Sequence, residues 1–391
     1  MIAFTYPGQG SQKPGMGEAW ADHPSWELVA EASAASGRDV EALLLSAGAD
    51  ELKQTRNAQL STFVLSMVVL DAVTRVGIDA AAHAGHSLGE YSALTASGAL
   101  DFADAVRLVA ERGEAMQVAA EEREGGMTAV LGLDDDQVEI ACHRAAADVW
   151  VANYNAPGQV VIAGAPDAVE AAIAIAKGLG AKRAMPLPVS GAFHTPFMAP
   201  ARDRLRKAID QVEIRSPQGT VVANVDAMAH PDAAEWQSLL NAQLTSPVRW
   251  RQTLHTLADL GFATFIEIGP GTVLTGMAKR TIAEARTLSV ATPADLDRML
   301  EVLAGPQPGA VGQFQGEHLF ATERLVVSPG AGVFTPVDSV GPGSIIETGA
   351  VMGRVGSLEV RSPFAGQVMG FLAVQGERVT SSQPIAWLRS I

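Results

Sequence analysis

The feature that most constrains the fold of this chain is the run Gly85-His86-Ser87-Leu88-Gly89. A G-x-S-x-G sequence is typical of a tight turn, which only a few backbone conformations allow. An apolar, strand-like segment, 80–84, precedes it, and a helical pattern begins at Glu90. In a strand–turn–helix of this kind the glycines permit a tight turn, and the serine projects beside the free amides of a helix N-terminus. The pentapeptide could arise by chance in a chain with 38 glycines, but its flanks favour a nucleophilic serine.

Short apolar strands alternate with Ala-rich amphipathic helices through most of residues 1–304, which predicts an α/β fold. We expect a hydrolase-like large subdomain with a parallel sheet. Between 126 and 187 the pattern reads strand, helix, two strands, helix and strand, with predicted bounds of 127–131, 135–147, 149–153, 159–164, 166–179 and 182–186. That βαββαβ order predicts an inserted ferredoxin-like subdomain.

The composition changes after a helical stretch, 293–304, for which Thr292 is a candidate N-cap. The run Gly305-Pro306-Gln307-Pro308-Gly309 begins a predicted linker, 305–323. From 324 to 391 the chain is rich in Val, Gly, Pro and Ser in short alternating runs, which is typical of a small all-β domain.

Charge and cysteine content narrow the possible functions. The chain has 43 acidic and 28 basic side chains, a formal charge of −15, so nucleic acid is a poor partner. Cys142 is the only cysteine in the sequence, so an intramolecular disulfide cannot form, and a metal site built from several thiols is excluded. We expect the protein in a reducing cytoplasm. Residues 1–8 do not resemble a secretory signal, and we expect no apolar run long enough to span a bilayer.

A serine nucleophile needs a base, and the chain has eight histidines. His194 is the best candidate because it lies in a loop-like stretch after a strand, where catalytic residues tend to be found. His83 and His86 are close to Ser87 in sequence, but the turn should direct their side chains elsewhere. The other five, His23, His143, His230, His255 and His318, have no comparable context.

Five segments carry a family resemblance. They are Pro7-Gly8-Gln9-Gly10-Ser11-Gln12, Gly85-His86-Ser87-Leu88-Gly89-Glu90-Tyr91, Glu111-Arg112-Gly113, Phe193-His194 and Ile268-Gly269-Pro270-Gly271. In this order they resemble the motifs of malonyl-CoA:acyl carrier protein transacylases, and polyketide-synthase acyltransferase domains are similar. The resemblance covers about 1–304, and five motifs in the right order make it specific.

The resemblance implies a ping-pong mechanism without a cofactor. Ser87 would attack the thioester of malonyl-CoA while His194 removes its proton, and the phosphopantetheine thiol of an acyl carrier protein would then accept the malonyl group. The backbone carbonyl of Gln243 would orient the histidine ring. The amides of Gln9 and Leu88 would hold the oxyanion, and the alternative for Gln9 is an ordinary glycine-flanked turn residue.

The resemblance also implies which residues select malonyl. Arg112 would hold the free carboxylate with its guanidinium fork, whereas the alternative is a surface ion pair with Glu111 or Glu114. Phe193 matches the malonyl-selective form of the family loop, in which a bulky ring excludes a 2-methyl branch. Gln59 matches a glutamine that lines the site in relatives, and its alternative role is packing within a core helix.

The C-terminal region resembles a biotinyl/lipoyl carrier domain in 360–368 and 375–379. Such domains carry their cofactor on a lysine at a hairpin tip, but the equivalent region, near 353–358, has none, and the last lysine in the chain is Lys279. We therefore expect a degenerate hammerhead-like domain without biotin or lipoate, retained for docking or stability.

Two other functions remain open at this point. A hydrolase, including an editing thioesterase on the same fold, would release the same serine ester to water. Its usual motif order, with an acid between the serine and a late histidine, is not followed here. The second alternative is a non-catalytic scaffold whose tail is the functional part, which the complete set of candidate site residues opposes.

Overall fold

The computed structural model of the chain describes residues 1–189, 191–304, 323–337 and 339–389. These residues divide into two compact units, one within Met1–Gln307 and the other within Pro308–Ile391. The predicted linker, 305–323, lies outside the described residues except for Glu323, which begins a strand.

The first unit contains both strands and helices. Its strands are β1 Ile2–Tyr6, β2 Ala82–Gly85, β3 Gly126–Leu131, β4 Val149–Ala156, β5 Gln159–Gly164, β6 Arg183–Pro186, β7 Thr220–Val221, β8 Thr264–Ile268 and β9 Arg286–Val290. Its α-helices are α1 Glu27–Ser36, α2 Val40–Leu45, α3 Ala49–Lys53, α4 Thr55–Arg75, α5 Gly89–Ala96, α6 Phe102–Glu122, α7 Asp135–Ala145, α8 Pro166–Gly178, α9 Ala199–Ile209, α10 Ala233–Gln243, α11 Trp250–Asp259, α12 Val273–Thr281 and α13 Pro293–Ala304. Short 3-10 helices occur at Glu18–Trp20, Pro24–Trp26 and Pro196–Met198.

A parallel sheet with the order β7-β2-β1-β8-β9 forms the centre of the unit. The expected α/β fold with a parallel sheet is therefore confirmed. Strand β1 contributes Phe4 and Tyr6 to the main hydrophobic core, and both are fully buried. Because β1 and β2 are parallel neighbours, the loops after Tyr6 and Gly85 leave the sheet at the same edge.

Helix α4 corrects one expectation from the sequence. By length and composition alone this 21-residue helix could cross a membrane, with a mean hydropathy of 1.3. However, 83% of its apolar window is buried inside the protein, where it packs against α6. It is a core helix, and its hydrophobic composition is explained by contacts on nearly every side.

The strands between 126 and 186 form an antiparallel sheet with the order β4-β5-β3-β6, with α7 and α8 packed on it. Strand β5 has the predicted bounds, 159–164. Strand β4 is longer than the predicted 149–153, because its pairing with β5 continues from Tyr154 opposite Val160 to Ala156 opposite Gln159. Asn153 also pairs with Val248, and the amide of Tyr154 donates to the Val248 carbonyl.

The described part of the second unit is all-β. Its strands are β10 Glu323–Val327, β11 Gly332–Pro336, β12 Ile345–Ile346, β13 Val351–Val355, β14 Leu358–Arg361, β15 Gly366–Phe371, β16 Arg378–Val379 and β17 Pro384–Arg389. They form two sheets, with the orders β10-β17-β15-β12 and β14-β13-β11-β16, around a small core that includes Phe334 and Leu388. Gly356 and Ser357 lie at the tip of the β13–β14 hairpin.

Candidate active site

Ser87 lies on a sharp turn between β2 and α5. Its φ of 53° is in the left-handed region, which is strained for a residue with a side chain. The turn is possible only because its flanking residues are glycines. A Cβ on Gly85 would lie 1.8 Å from the backbone of Gly89, and one on Gly89 would lie 2.1 Å from the Tyr6 carbonyl oxygen. The predicted strand–turn–helix is therefore present, with Ser87 exposed to a cavity.

His194 lies beside this serine. Its Nε2 is 2.7 Å from Ser87 Oγ, and its Nδ1 is 3.0 Å from the backbone carbonyl oxygen of Gln243. Since a carbonyl only accepts hydrogen bonds, the Nδ1 carries the proton and Nε2 is free to accept one from the serine hydroxyl. Burial, with a smaller effect from the Arg112 charge, lowers the pKa of His194 to about 3, so the ring is neutral at physiological pH.

Arg112 is completely buried, on α6. Its Nη1 donates to Gln59 Oε1 at 2.6 Å, and its Nη2 donates to Gln243 Oε1 at 2.8 Å and to Ser87 Oγ at 3.1 Å. All three acceptors are neutral. Burial lowers the pKa of Arg112 from its usual value.

The alternative role of Arg112 as a surface ion-pair partner is wrong. Glu111 pairs with Arg204 at 2.5 Å, and Glu114 pairs with Arg56 at 3.0 Å. Within the described residues, no carboxylate lies within ion-pair distance of the Arg112 guanidinium. Burying a cation beside the serine with only neutral hydrogen-bond partners is unfavourable, and an anionic ligand would offset that cost.

The two amides predicted to hold an oxyanion are close to Ser87. A Cβ on Gly8 would lie 2.5 Å from the His86 carbonyl oxygen, so the loop after β1 touches the serine turn and brings Gln9 to it. Leu88 is buried at the N-terminus of α5. The amides of Gln9 and Leu88 make no hydrogen bond to any residue that the structure describes, and are available to a ligand.

The cavity over Ser87 has a volume of about 470 Å³. Its lining includes five of the residues singled out from the sequence, namely Gln9, Gln59, Ser87, Phe193 and His194. Gln59 bridges Arg112 and the Met116 sulfur, to which its Nε2 donates at 3.2 Å, so it does more than pack within a helix. Phe193 is 5% exposed and forms part of the cavity wall.

Of the two histidines near Ser87 that were predicted to point elsewhere, His86 differs from the prediction. His83 points away from the serine and accepts or donates a hydrogen bond with the Tyr6 hydroxyl at 2.9 Å. His86 was also expected to point elsewhere, yet it lines the cavity and its Nε2 is 2.8 Å from Asn155 Oδ1.

Sequence reasoning also assigned no role to Glu90 and Asn224. Glu90 is fully buried three residues after Ser87, and burial raises its pKa to about 7 although hydrogen bonds from Asn224 and Gln243 oppose that rise. Asn224 Oδ1 accepts a hydrogen bond from the Ser87 amide at 2.7 Å. The only signals in the sequence were the place of Glu90 inside a motif and of Asn224 just after a strand.

Comparison with known proteins identifies the family. Residues 3–299 match the acyl transferase domain family. The malonyl CoA-acyl carrier protein transacylase of Salmonella typhimurium strain LT2 is 44% identical to this chain over 304 residues, which cover 76% of this chain and 98% of that protein. This chain belongs to the malonyl CoA-acyl carrier protein transacylase family. The resemblance inferred from the five motifs is thereby confirmed.

Other members of the malonyl CoA-acyl carrier protein transacylase family agree with this assignment. The transacylase of Escherichia coli strain K12 is 43% identical over 306 residues, covering 77% of this chain and 99% of that one. The crystal structure of an acyl-carrier-protein S-malonyltransferase from Burkholderia pseudomallei 1710b matches with a TM-score of 0.74 at 43% identity, over 77% of this chain and 99% of that one. A chain in the structure of a type II PKS acyl-carrier protein in complex with its malonyl-transacylase also matches. Its TM-score is 0.74 at 40% identity, over 77% of this chain and 99% of that one.

Proposed function

We propose that this protein transfers the malonyl group of malonyl-CoA to the phosphopantetheine thiol of an acyl carrier protein, through an ester on Ser87. The observation that carries the proposal is the buried Arg112 guanidinium, which lies 3.1 Å from the Ser87 oxygen and has no carboxylate partner among the described residues. A malonyl group has its carboxylate one methylene away from the carbonyl that the serine attacks. The cation is therefore close enough to bind the first while Ser87 reacts with the second.

The geometry supports the following first half-reaction. Ser87 Oγ gives its proton to His194 Nε2 and forms a bond to the thioester carbonyl carbon, whose oxygen becomes negative and is held by the amides of Gln9 and Leu88. The C–S bond then breaks as the oxyanion collapses, and His194 returns the proton to the leaving CoA sulfur. The Gln243 carbonyl keeps the ring in place and stabilises its charged form.

The second half-reaction reverses these roles. The carrier thiol gives its proton to His194 and its sulfur attacks the malonyl ester. Collapse of the second oxyanion breaks the bond to Ser87 Oγ, which takes the proton back from His194. Phe193 in the cavity wall would disfavour a 2-methyl branch on the acyl group. No step requires a metal or an organic cofactor.

The proposal extends to the domain organisation. We assign 1–304 to the transacylase domain, 305–323 to a linker and 324–391 to a separate β domain. The strand order β4-β5-β3-β6 supports a ferredoxin-like insert at about 126–187. Two four-stranded sheets with a β13–β14 hairpin whose tip has no lysine support a degenerate biotinyl/lipoyl-like fold that carries no cofactor.

The carrier protein would belong to fatty-acid or polyketide synthesis, and the reaction would take place in the cytoplasm. The relative whose structure is that of a complex with an acyl-carrier protein supports such a partner. Both syntheses use a malonyl-charged carrier, so the active-site residues do not distinguish them.

Intact-mass spectrometry tests the proposal. Brief mixing with malonyl-CoA should add one malonyl group to wild type and none to Ser87→Ala, and a carrier protein with its phosphopantetheine arm should then remove the adduct and gain the malonyl group. Release of free malonate at the same rate with and without carrier would instead identify the editing hydrolase. An adduct that persists in Ser87→Ala would overturn the assignment of the nucleophile.

A further inference from the structure

Glu90 is a fully buried carboxylate in the first turn of α5, and the mechanism above does not use it. Its Oε1 accepts a hydrogen bond from the backbone amide of Asn224 at 2.7 Å. Its Oε2 accepts a hydrogen bond from the side-chain nitrogen of Gln243. Both oxygens are therefore held by donors, and an ionised carboxylate satisfies both at once.

These two partners hold Ser87 from opposite sides. Asn224 Oδ1 accepts from the Ser87 amide at 2.7 Å, and Asn224 Nδ2 donates to the Gly85 carbonyl at 2.7 Å. Gln243 Nε2 donates to the Ser87 carbonyl at 2.9 Å. The strained backbone of the serine thus has both its amide and its carbonyl bonded to residues that Glu90 anchors.

Gln243 also connects Glu90 to the other two site residues. Its side-chain oxygen accepts from Arg112 at 2.8 Å, and its backbone oxygen accepts from His194 at 3.0 Å. An amide group has nearly the same shape when its oxygen and nitrogen are exchanged, so its orientation is decided by its partners. The ionised Glu90 carboxylate can only accept, so together with the Ser87 carbonyl it directs the Gln243 nitrogen toward itself and the oxygen toward Arg112.

We propose that Glu90 is a positioning residue for malonyl transfer, which orients the amide of Gln243 and anchors Asn224 and thereby fixes Ser87, Arg112 and the His194 partner in their reactive arrangement. The inference rests on the proposed function, and it adds Glu90 to the residues that the transfer reaction depends on. Glu90 touches none of the reacting atoms and acts only through its two partners. It is also the carboxylate nearest in this hydrogen-bond network to the Arg112 cation, with Gln243 between them.

Glu90→Gln tests this with almost no change in volume. The new amide has one oxygen for two donors, so its NH₂ must face either the Asn224 amide or the Gln243 nitrogen. If Gln243 flips in response, it presents its own NH₂ to Arg112. We expect the single-turnover rate of malonyl-serine formation to fall on the order of 100-fold, as for a misplaced reacting group, with the final extent of labelling unchanged.

Rate and extent separate positioning from folding. A residue needed only for folding would lower the fraction of protein that becomes labelled and leave the rate constant of that fraction unchanged. Glu267→Gln is the matched control, because Glu267 is equally buried on β8, caps α12 through Thr275, and does not line the cavity. This control should load malonyl at the wild-type rate.

A second variant pair keeps the test decisive should Glu90→Gln leave only a fraction of the protein folded. Gln243→Met removes the side-chain amide that Glu90 orients and keeps a similar volume, so Glu90→Gln should slow loading less in the Gln243→Met background than in wild type. Equal losses of rate from Glu90→Gln in the two backgrounds would overturn the inference.

The experiment also separates this inference from the proposed function. Absence of a malonyl adduct in wild type would overturn the proposed function and the inference with it. Equal loading rates in wild type and Glu90→Gln, with a normal adduct in both, would overturn the inference alone.

Discussion

Arg112 shows how one residue limits what the cavity can bind. A guanidinium that is buried among neutral acceptors has lost most of its hydration without gaining a direct ion-pair partner among the described residues. An acyl group with a free carboxylate supplies that charge and matches the two-pronged geometry of the guanidinium. An uncharged acyl group of similar size leaves the cation unpaired, so selectivity is expected to arise here.

Arg112→Ala should lower the specificity constant for malonyl-CoA by an amount equivalent to about 2 to 5 kcal/mol in transition-state terms, while acetyl transfer falls less or rises. Arg112→Lys should also be impaired, since an ammonium keeps the charge but loses the planar fork. The measurement is the ratio of specificity constants for malonyl-CoA and acetyl-CoA. Arg107→Ala, on the same helix but with its guanidinium exposed and paired with Asp104, should leave that ratio unchanged.

His194 should remain neutral through the physiological pH range. Its pKa is lowered to about 3, so its imidazole signals in a ¹⁵N-histidine spectrum of the Ser87→Ala variant should not titrate between about pH 5 and 8. An unfolded chain takes up this proton near the usual pKa of 6.5 and the folded one only near 3, so this residue costs stability as the pH falls between those values. A titration of His194 with a midpoint near 6.5 would contradict this prediction.

The turn between β2 and α5 is the element on which the site depends. Its geometry requires a residue with positive φ at Ser87 and close approach of α5 to β1. The helix also supplies the Leu88 amide at its positive dipole end. The same short segment therefore sets both the exposure of the nucleophile and the position of one oxyanion donor.

Gly89→Ala should destabilise the protein and abolish malonyl loading. The added methyl group would lie 2.1 Å from the Tyr6 carbonyl oxygen, and β1 or α5 must shift to admit it, at a cost of about 1 to 3 kcal/mol or more. Gly276→Ala is the control, because a Cβ there meets nothing within 4 Å and alanine favours helix α12. Urea unfolding should show opposite shifts for the two variants, and equal midpoints would contradict the steric argument.

At the scale of the whole molecule, the family match lies within the first unit and ends inside its last helix, α13. It covers 3–299, and every candidate active-site residue lies within that range. The second unit has its own hydrophobic core among the described residues. The two units are therefore expected to fold independently.

A chain truncated after Ala304 should load malonyl from malonyl-CoA at the wild-type rate. We expect this because the proposed nucleophile, base, oxyanion donors and Arg112 all belong to the retained unit. Intact-mass time courses of the truncated and full-length proteins provide the comparison. A soluble, folded truncation that fails to load would mean that residues after 304 complete the catalytic unit.

The sequence by itself determined the parts of this protein that depend on local chemistry. The bounds of β5 follow from a short apolar run, and those of α13 from Thr292, whose Oγ1 accepts from the Asp295 amide at the predicted cap. The serine turn follows from two glycines in one pentapeptide. The roles of Ser87, His194, Arg112 and Gln243 remain predictions, although the structure brings all four into one hydrogen-bonded group.

Only the tertiary structure decided which charges are buried and which partners they have. Glu90 accepts hydrogen bonds from Asn224 and Gln243, which lie 134 and 153 positions further along the chain, and Asn153 in β4 pairs with the distant Val248. In the sequence Arg112 has acidic neighbours at 111 and 114, but in the fold these pair with Arg204 and Arg56, and Arg112 has no ion-pair partner among the described residues. Propensity and motif spacing describe neighbours along the chain, whereas desolvation and hydrogen-bond direction depend on neighbours in space.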